Sequence, residues 1–336
     1  MKDLLGLAKI LPLKKLIEVI SQGVGKVTKS YFDRKDIETR ALEIRELAKA
    51  NADAIKTLDE AFENAHFNAN LSLDGSQLSL TTEPKNSSQS TLEIRTTTRQ
   101  NYLEQRRQLN IEEITAIAAE NLRSQTNVAD EKVDVDWINR FFSIAGDIST
   151  SQMQELWGRI LAGEVKQPGS FSLRTLDVIR NLSKVEAELF TKFATLRLYA
   201  EGECFVYHDE TLFKTHYKIS TSQLMLLADA GLIQPNTDII LNFKSADQDP
   251  DQLLFKQGKR GILAKGPFNT LNHIEVLKFT VAGTEIAALI PELEDDFHFF
   301  TVCKAITISS NVTADYGLLD ESENNITGQQ PFQKAH

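Results

Sequence analysis

The stretch from Val133 to Phe190 constrains the fold most, because its apolar residues recur at helical spacing. Turn signals, chiefly Gly163 and the Pro168-Gly169 pair, divide it into short helices. Both tryptophans of the chain lie within it and are expected to anchor a core. The pattern predicts a compact helical module that contains no recognisable catalytic constellation.

Candidate N-cap residues support this division, because side-chain oxygens of Asp, Ser and Thr accept the free N–H groups of a first helical turn. The candidate first residues of the four helices are, in order, Asp134 or Asp136, Ser149 or Thr150, Ser172 or Leu173, and Ser183. Ser183 and Glu186 have the spacing of a reciprocal capping box.

The composition limits the kinds of partner. A chain of 336 residues is long enough for two or three domains. Its net charge of −10 argues against sequence-independent binding to nucleic acid, which requires a basic surface. Residues 1–30 nevertheless carry six lysines against only Asp3 and Glu18. This asymmetry favours a basic arm with a partner of its own.

The two cysteines and the hydropathy pattern favour a cytoplasmic protein. Cys204 and Cys303 lie far apart in segments that read as strands, and two buried reduced thiols are favoured over a disulfide. The sequence shows neither a secretory signal nor an apolar run long enough to span a bilayer. A peripheral position at the inner face of the membrane is the alternative.

The segment after Pro12 predicts a cationic amphipathic helix. Such a helix can lie in a membrane interface, or its apolar side can pack on the protein itself or on a second subunit. No aromatic anchor precedes Tyr31, which weakens the membrane interpretation. The predicted membrane or partner contacts are Leu13, Lys14, Lys15, Leu16, Ile17, Ile20 and Val24.

The rest of the chain divides by composition. A long helix rich in Ala, Glu and Lys is followed by a polar stretch that favours a flexible linker, with strand pairing around Leu71–Leu80 as the alternative. The predicted segments are a basic helical segment 1–30, a long helix 31–65, a polar linker 66–97, a central helical domain 98–198, an α+β domain 199–318 and a polar tail 319–336.

The C-terminal half suggests a winged-helix-like module. A predicted helix over Ser220–Ala230 precedes a Gly-Leu-Ile turn, several predicted strands and a Thr-capped helix near Thr284. The overall prediction is therefore a mainly α fold, multi-helical in its N-terminal and central regions, with a C-terminal α+β winged-helix-like module. The candidate recognition helix lacks Lys and Arg, so DNA binding is disfavoured.

No catalytic motif stands out, and no catalytic, cofactor or metal residue is predicted. His208, Asp209, Glu210 and His216 could supply metal ligands, although such clusters are common by chance. The run Gly258–Gly261, which contains Lys259 and Arg260, lacks the strand–loop–helix context of a phosphate cradle and reads as an exposed turn. The predicted partner surface consists of Arg159, Glu164, Phe171 and Arg174.

Three blocks carry a family resemblance. The blocks are Trp137–Phe142, Met153–Glu164 and Gly169–Leu176. Together they resemble an uncharacterised bacterial family known only as a domain of unknown function. The core of the second block, Leu-Trp-Gly-Arg-Ile-Leu-Ala-Gly-Glu, is also similar to the abortive-infection alpha proteins of phage defence. Neither resemblance implies an active site, and the second implies a defence context.

These observations favour a non-enzymatic bacterial interaction protein. The hypothesis is a membrane-associated phage-defence or stress factor that acts through its N-terminal amphipathic helix, with a protein partner or a second copy as its contact. The alternative is a DNA-binding regulator that uses the winged-helix-like module, although nucleic acid is a disfavoured partner.

Overall fold

The computed structural model describes residues 11–25, 29–32, 46, 49, 68–74, 77–83, 88–123, 125, 127–242, 251–266, 271–292, 295–308, 311–320, 322 and 324–333. The chain divides into two compact units, residues 1–170 and 171–336. This boundary falls inside the segment 98–198 that the sequence analysis treated as one domain. The long helix predicted over 31–65 lies outside the described residues apart from Tyr31, Phe32, Glu46 and Lys49.

The N-terminal unit combines helices with one hairpin. Its elements are α1 Leu11–Val24, a 3-10 turn Lys29–Phe32, β1 Asn68–Asp74, β2 Gln77–Glu83, α2 Ser88–Leu122, α3 Val135–Ala145 and α4 Ser151–Lys166.

The expected polar linker 66–97 is instead ordered for much of its length. Strands β1 and β2 pair antiparallel from Asn68 opposite Glu83 to Asp74 opposite Gln77. Helix α2 then begins at Ser88, well before the predicted start at residue 98. The linker prediction relied on the scarcity of large apolar side chains, whereas a hairpin satisfies its backbone N–H and C=O groups whatever the side chains are.

Close packing of α2 against α4 forms the core of the N-terminal unit. Trp157 of α4 is fully buried, with its ring centroid 5.2 Å from that of Phe141 in α3. Gly158 lets the helices approach, because a Cβ atom there would lie 2.3 Å from Cγ2 of Ile117. Trp137 is also buried and stacks on Phe141 at 5.0 Å, so the predicted role of both tryptophans as core anchors is confirmed.

The C-terminal unit is built around a large sheet. Its helical elements are α5 Leu173–Asn181, α6 Lys184–Ala194, α7 Glu210–Leu212 with a π turn Phe213–Tyr217, α8 Thr221–Asp229, α9 Val281–Ala287 and α10 Asp296–Ile306. Its strands are β3 Leu198–Ala200, β4 Glu203–Tyr207, β5 Ile233–Asn242, β6 Asp251–Gln257, β7 Arg260–Gly266, β8 Leu271–Phe279, β9 Thr313–Leu319 and β10 Ile326–Pro331.

These strands form one eight-stranded sheet in the order β10-β9-β7-β6-β3-β4-β8-β5, with antiparallel pairing throughout. Helix α10 covers one face, where it shares a core with Leu198, Phe205, Phe255 and Ile262. The prediction of a mainly α fold with a small winged-helix-like module is therefore wrong, and the fold is mixed α/β. Pairing between strands distant in sequence could not be inferred from local patterns.

Two local predictions in this unit also fail. The segment around Cys303, expected to be a strand, forms α10 instead, and Asp295 caps its first turn by accepting from the His298 N–H. The expected polar tail 319–336 contributes β10, which pairs with β9 at the sheet edge. Contacts with the rest of the sheet override local propensity in both segments.

The predicted helix starts agree better with the structure than these two segments do. Asp134 and Ser172 accept from the N–H groups of Trp137 and Thr175, and Thr150 precedes α4 without a side-chain cap. Ser183 and Glu186 form the predicted capping box, with both hydrogen bonds present.

Candidate interaction surfaces

The apolar side of α1 packs inside its own unit. Leu13, Leu16 and Ile20 are buried, and α1 contacts α2, α3 and α4. Lys14 is exposed, whereas Lys15, Ile17 and Val24 are half-buried. Membrane contact through this stripe would therefore require α1 to leave its place, and the geometry favours the alternative of packing on the protein itself.

Two details fix α1 in this position. Lys15 donates through Nζ to the carbonyl oxygen of Ala129 at 2.7 Å, and partial burial lowers the pKa of Lys15. A Cβ atom at Gly23 would lie 2.0 Å from Cδ2 of Phe142, so the end of α1 touches α3 directly. Gly23 is thus a close-packing point.

The four residues of the predicted partner surface do not share one exposed face. Glu164 is only 2% exposed and accepts from the Gly169 N–H at 2.7 Å, which closes the Pro-Gly turn within the N-terminal unit. Phe171 is buried, and Arg159 is half-buried. Arg174 alone among the four is exposed.

Two of the residues considered as metal ligands have other roles. Asp209 caps α7 by accepting from the Leu212 N–H at 2.6 Å. His216 stacks on Phe297 with ring centroids 4.2 Å apart. Within the part of the chain that the structure describes, no group of three His, Cys, Asp or Glu residues could hold a metal ion.

The two cysteines are free and buried. Cys204 lies in β4, as predicted, whereas Cys303 lies on the inner side of α10 instead of on a strand. Burial raises the pKa of each thiol to about 12. Both thiols are therefore protonated at neutral pH and are poor nucleophiles.

A polar cleft of about 700 Å³ lies along β6 and the β3–β4 turn. Tyr199, Lys256 and Glu292 line it, and behind them Arg197 is almost fully buried. Arg197 donates to the carbonyl oxygens of Ala194 and Ile290 and to the Tyr199 hydroxyl, and it forms an ion pair with Glu292 at 3.1 Å. Burial raises the pKa of Tyr199 to about 12. These contacts explain Arg197 and Tyr199 as structural residues.

An apolar groove lies on the outward side of α10. Phe297, Phe300 and Ile308 are 51%, 38% and 74% exposed. The groove has a volume of about 660 Å³, and its wall includes Phe332, which stacks on Phe300. Its charged lining residues are Asp296 and Lys304. Sequence reasoning missed this surface because it assigned the segment to a strand.

None of the described helices is both long enough and apolar enough to cross a membrane.

The fold and its surfaces define a class, a two-unit mixed α/β protein with an exposed apolar groove along one helix. Comparison with protein families identifies the group more narrowly. Residues 94–303 match the family described as "Protein of unknown function (DUF2806)". This match covers more than half of the chain, so the protein belongs to that family, and the predicted membership of an uncharacterised domain family is confirmed. No curated protein and no solved structure matches, and the link to abortive-infection proteins stays a prediction.

Proposed function

We propose that this protein is a non-enzymatic interaction protein and that α10 is the surface through which it binds a second copy of itself. The observation that carries the proposal is the exposed apolar stripe formed by Phe297, Phe300 and Ile308. Contiguous apolar patches rimmed by polar residues mark protein interaction sites. Phe297 and Phe300 lie on one side of α10 because they are three residues apart, and Ile308 follows the C-terminus of the helix and lines the same groove.

The charges at the two ends of the groove make a second copy the best occupant. Asp296 and Lys304 are eight residues apart, about 12 Å along the helix axis. In an antiparallel pair of α10 helices with a two-fold axis near Phe300, Asp296 of each copy approaches Lys304 of the other. A two-fold interface requires this kind of self-complementary surface. The two Phe300 rings would then meet at the centre, where contacts contribute most to affinity.

The short stripe limits the strength of the interaction. Stable interfaces bury about 800 Å² on each partner, more than one exposed side of a three-turn helix provides. We therefore expect reversible dimers with a Kd on the order of 10 µM.

Sedimentation equilibrium of the full chain between micromolar and ~100 µM concentrations tests the proposal. Phe300→Glu is expected to abolish association, because it places two like charges at the axis. Met225→Glu is the matched control, since Met225 is an apolar residue on α8 that is at least as exposed as Phe300. A wild-type chain that stays monomeric at the highest concentration would contradict the proposal.

Charge-reversal variants distinguish the antiparallel pair of α10 helices from any other apolar contact. Lys304→Asp alone should weaken the dimer, because it faces Asp296 with a second carboxylate. The double variant Asp296→Lys/Lys304→Asp should restore association. Asp296 also pairs with Arg260 of its own chain, so circular dichroism first shows that the double variant is folded. A folded double variant that does not recover association would rule out the antiparallel arrangement even if the wild-type chain dimerises.

We infer phage defence as the biological setting from the similarity of the Leu156–Glu164 block to abortive-infection alpha proteins. Plaque counts on cells that express the wild-type chain or Phe300→Glu test this setting. Equal plaque numbers with and without the wild-type chain would contradict a role in phage defence.

The DNA-binding alternative depended on a winged-helix-like module, which the eight-stranded sheet replaces.

A further inference from the structure

Three side chains in the C-terminal unit carry buried polar atoms that have no hydrogen-bond partner among the described residues. They are Gln257 through both amide atoms, Arg260 through Nε and Nη2, and His298 through both ring nitrogens. Gln257 and His298 are almost completely inaccessible to solvent. Unsatisfied buried polar atoms are rare, because each loses its water without compensation. Six such atoms in one unit require an explanation.

The strand register brings two of these side chains together. Gln257 at the end of β6 pairs directly with Arg260 at the start of β7. Alternation along both strands places them on the same face as Phe255 and Ile262, which α10 covers. The guanidinium carbon of Arg260 lies 4.3 Å from the ring centre of Phe299 in α10. Arg260 and Gln257 therefore lie beneath the first turn of α10.

His298 reaches the same end of the sheet from the helix side. It directly precedes Phe299 and lies near the backbone of Leu196, without a hydrogen bond of normal geometry at either nitrogen. Strand β3 pairs with β6 through Tyr199 and Lys256, so the residue before Tyr199 lies beside Gln257. His298 therefore lies at the same end of the sheet, near the Leu196 backbone, whereas Gln257 and Arg260 are the pair that the strand register brings together.

The chemistry of Gln257 and Arg260 is that of an oxyanion site. Nη1 of Arg260 already donates to Asp296 at 2.6 Å, on the outer side. The remaining edge, Nε and Nη2, presents two parallel N–H groups that match two oxygens of one carboxylate or phosphate. The Gln257 amide can donate as well.

We propose that Gln257 and Arg260 form a binding site for a small oxyanion of the carboxylate or phosphate type beneath the first turn of α10. The side chain of Arg260 is 15% exposed and is bonded to the highly exposed Asp296, so the ion pair between them marks the entrance. The proposal does not depend on self-association, because these groups lie on the inner side of α10.

The first experiment measures the thermal stability of the full chain against increasing inorganic phosphate and, separately, acetate, at constant ionic strength with chloride. A ligand that binds the folded state raises the Tm in a saturable way. A response to phosphate alone or to acetate alone identifies the class of anion. The absence of a saturable response to either anion would overturn the proposal and leave ordered water as the partner of these groups.

Two variants locate the effect. Gln257→Leu has a similar shape and removes one buried polar group, and Arg260→Lys keeps the charge but loses the two-pronged edge. Each should weaken anion binding by about tenfold or more. Lys259→Met is the matched control, because it removes an exposed cation from the same turn without touching the buried groups. If Lys259→Met also abolishes the rise in Tm, the anions act by screening surface charge and the proposal is wrong.

Discussion

Glu285 of α9 accepts a hydrogen bond from the Thr175 hydroxyl of α5 with an O–O distance of 2.5 Å. The same carboxylate oxygen accepts from the backbone N–H of Ser172 at 2.7 Å. Thr175 is completely buried. A carboxylate at this point also interacts favourably with the positive end of the α5 helix dipole. The Glu285 side chain thus connects α9 to the N-terminus of α5 through two hydrogen bonds.

We expect Glu285→Ala to lower the free energy of unfolding by about 2–3 kcal/mol, because it leaves the Thr175 hydroxyl and the Ser172 N–H without their acceptor. Glu285→Gln retains one acceptor oxygen but no charge and should lose about half as much. Urea denaturation followed by circular dichroism measures both. Glu188→Ala, an exposed glutamate on α6, should have little effect. Equal stability of Glu285→Ala and wild type would contradict this role.

Gly158→Ala should destabilise the N-terminal unit by about 2–4 kcal/mol, because the new methyl group overlaps Ile117 and the two helices cannot separate without opening the core. Thermal denaturation measures the loss. The double variant Gly158→Ala/Ile117→Ala removes the overlapping atoms and should recover part of it. The exposed substitution Glu155→Ala on the same helix serves as the control. Strict additivity of the two single effects would argue against direct contact.

The free energy of unfolding should fall as the pH decreases from about 6.5 to about 4. Burial lowers the pKa of His298 to about 4, while the nearby Asp295 opposes this shift and His216 adds to it. Since the unfolded chain binds a proton that the folded chain does not bind in this range, acid favours unfolding. The full effect is on the order of 3 kcal/mol.

Urea unfolding at a series of pH values tests this dependence. His298→Leu should remove most of the pH dependence of the free energy of unfolding between pH 4 and 6.5, whereas His216→Leu should retain most of it. An unchanged slope in His298→Leu would assign the dependence to other groups.

The wild-type chain should not sediment with liposomes of neutral or anionic lipid, because the apolar side of α1 is buried. Gly23→Ala should displace the end of α1, since the added methyl group overlaps the Phe142 ring. Exposure of a cationic amphipathic helix is then expected to increase binding to anionic liposomes. Gln22→Ala, an exposed neighbour, is the control. Strong binding by the wild-type chain would show that α1 leaves its site without help.

The sequence was informative where structure depends on neighbouring residues. The capping box of Ser183 and Glu186 and the cap at Asp134 involve partners three residues away. The sheet was not predictable in this way, because β6 pairs with β3 through residues more than fifty positions apart. The run Phe297–Thr307 shows the same limit, since packing against the sheet decides its helical state. The α10 groove and the buried polar cluster both depend on that assignment.

The position of Cys303 gives this molecule an internal chemical reporter. With a pKa raised to about 12, roughly one thiol in 10⁵ is ionised at pH 7. The thiol faces the sheet from beneath α10, so a reagent can reach it only after the helix lifts. In a Cys204→Ala chain, where Cys303 is the remaining cysteine, the rate of thiol labelling therefore measures the free energy of that opening. Any ligand or second copy that holds α10 in place will slow the reaction in proportion to its binding.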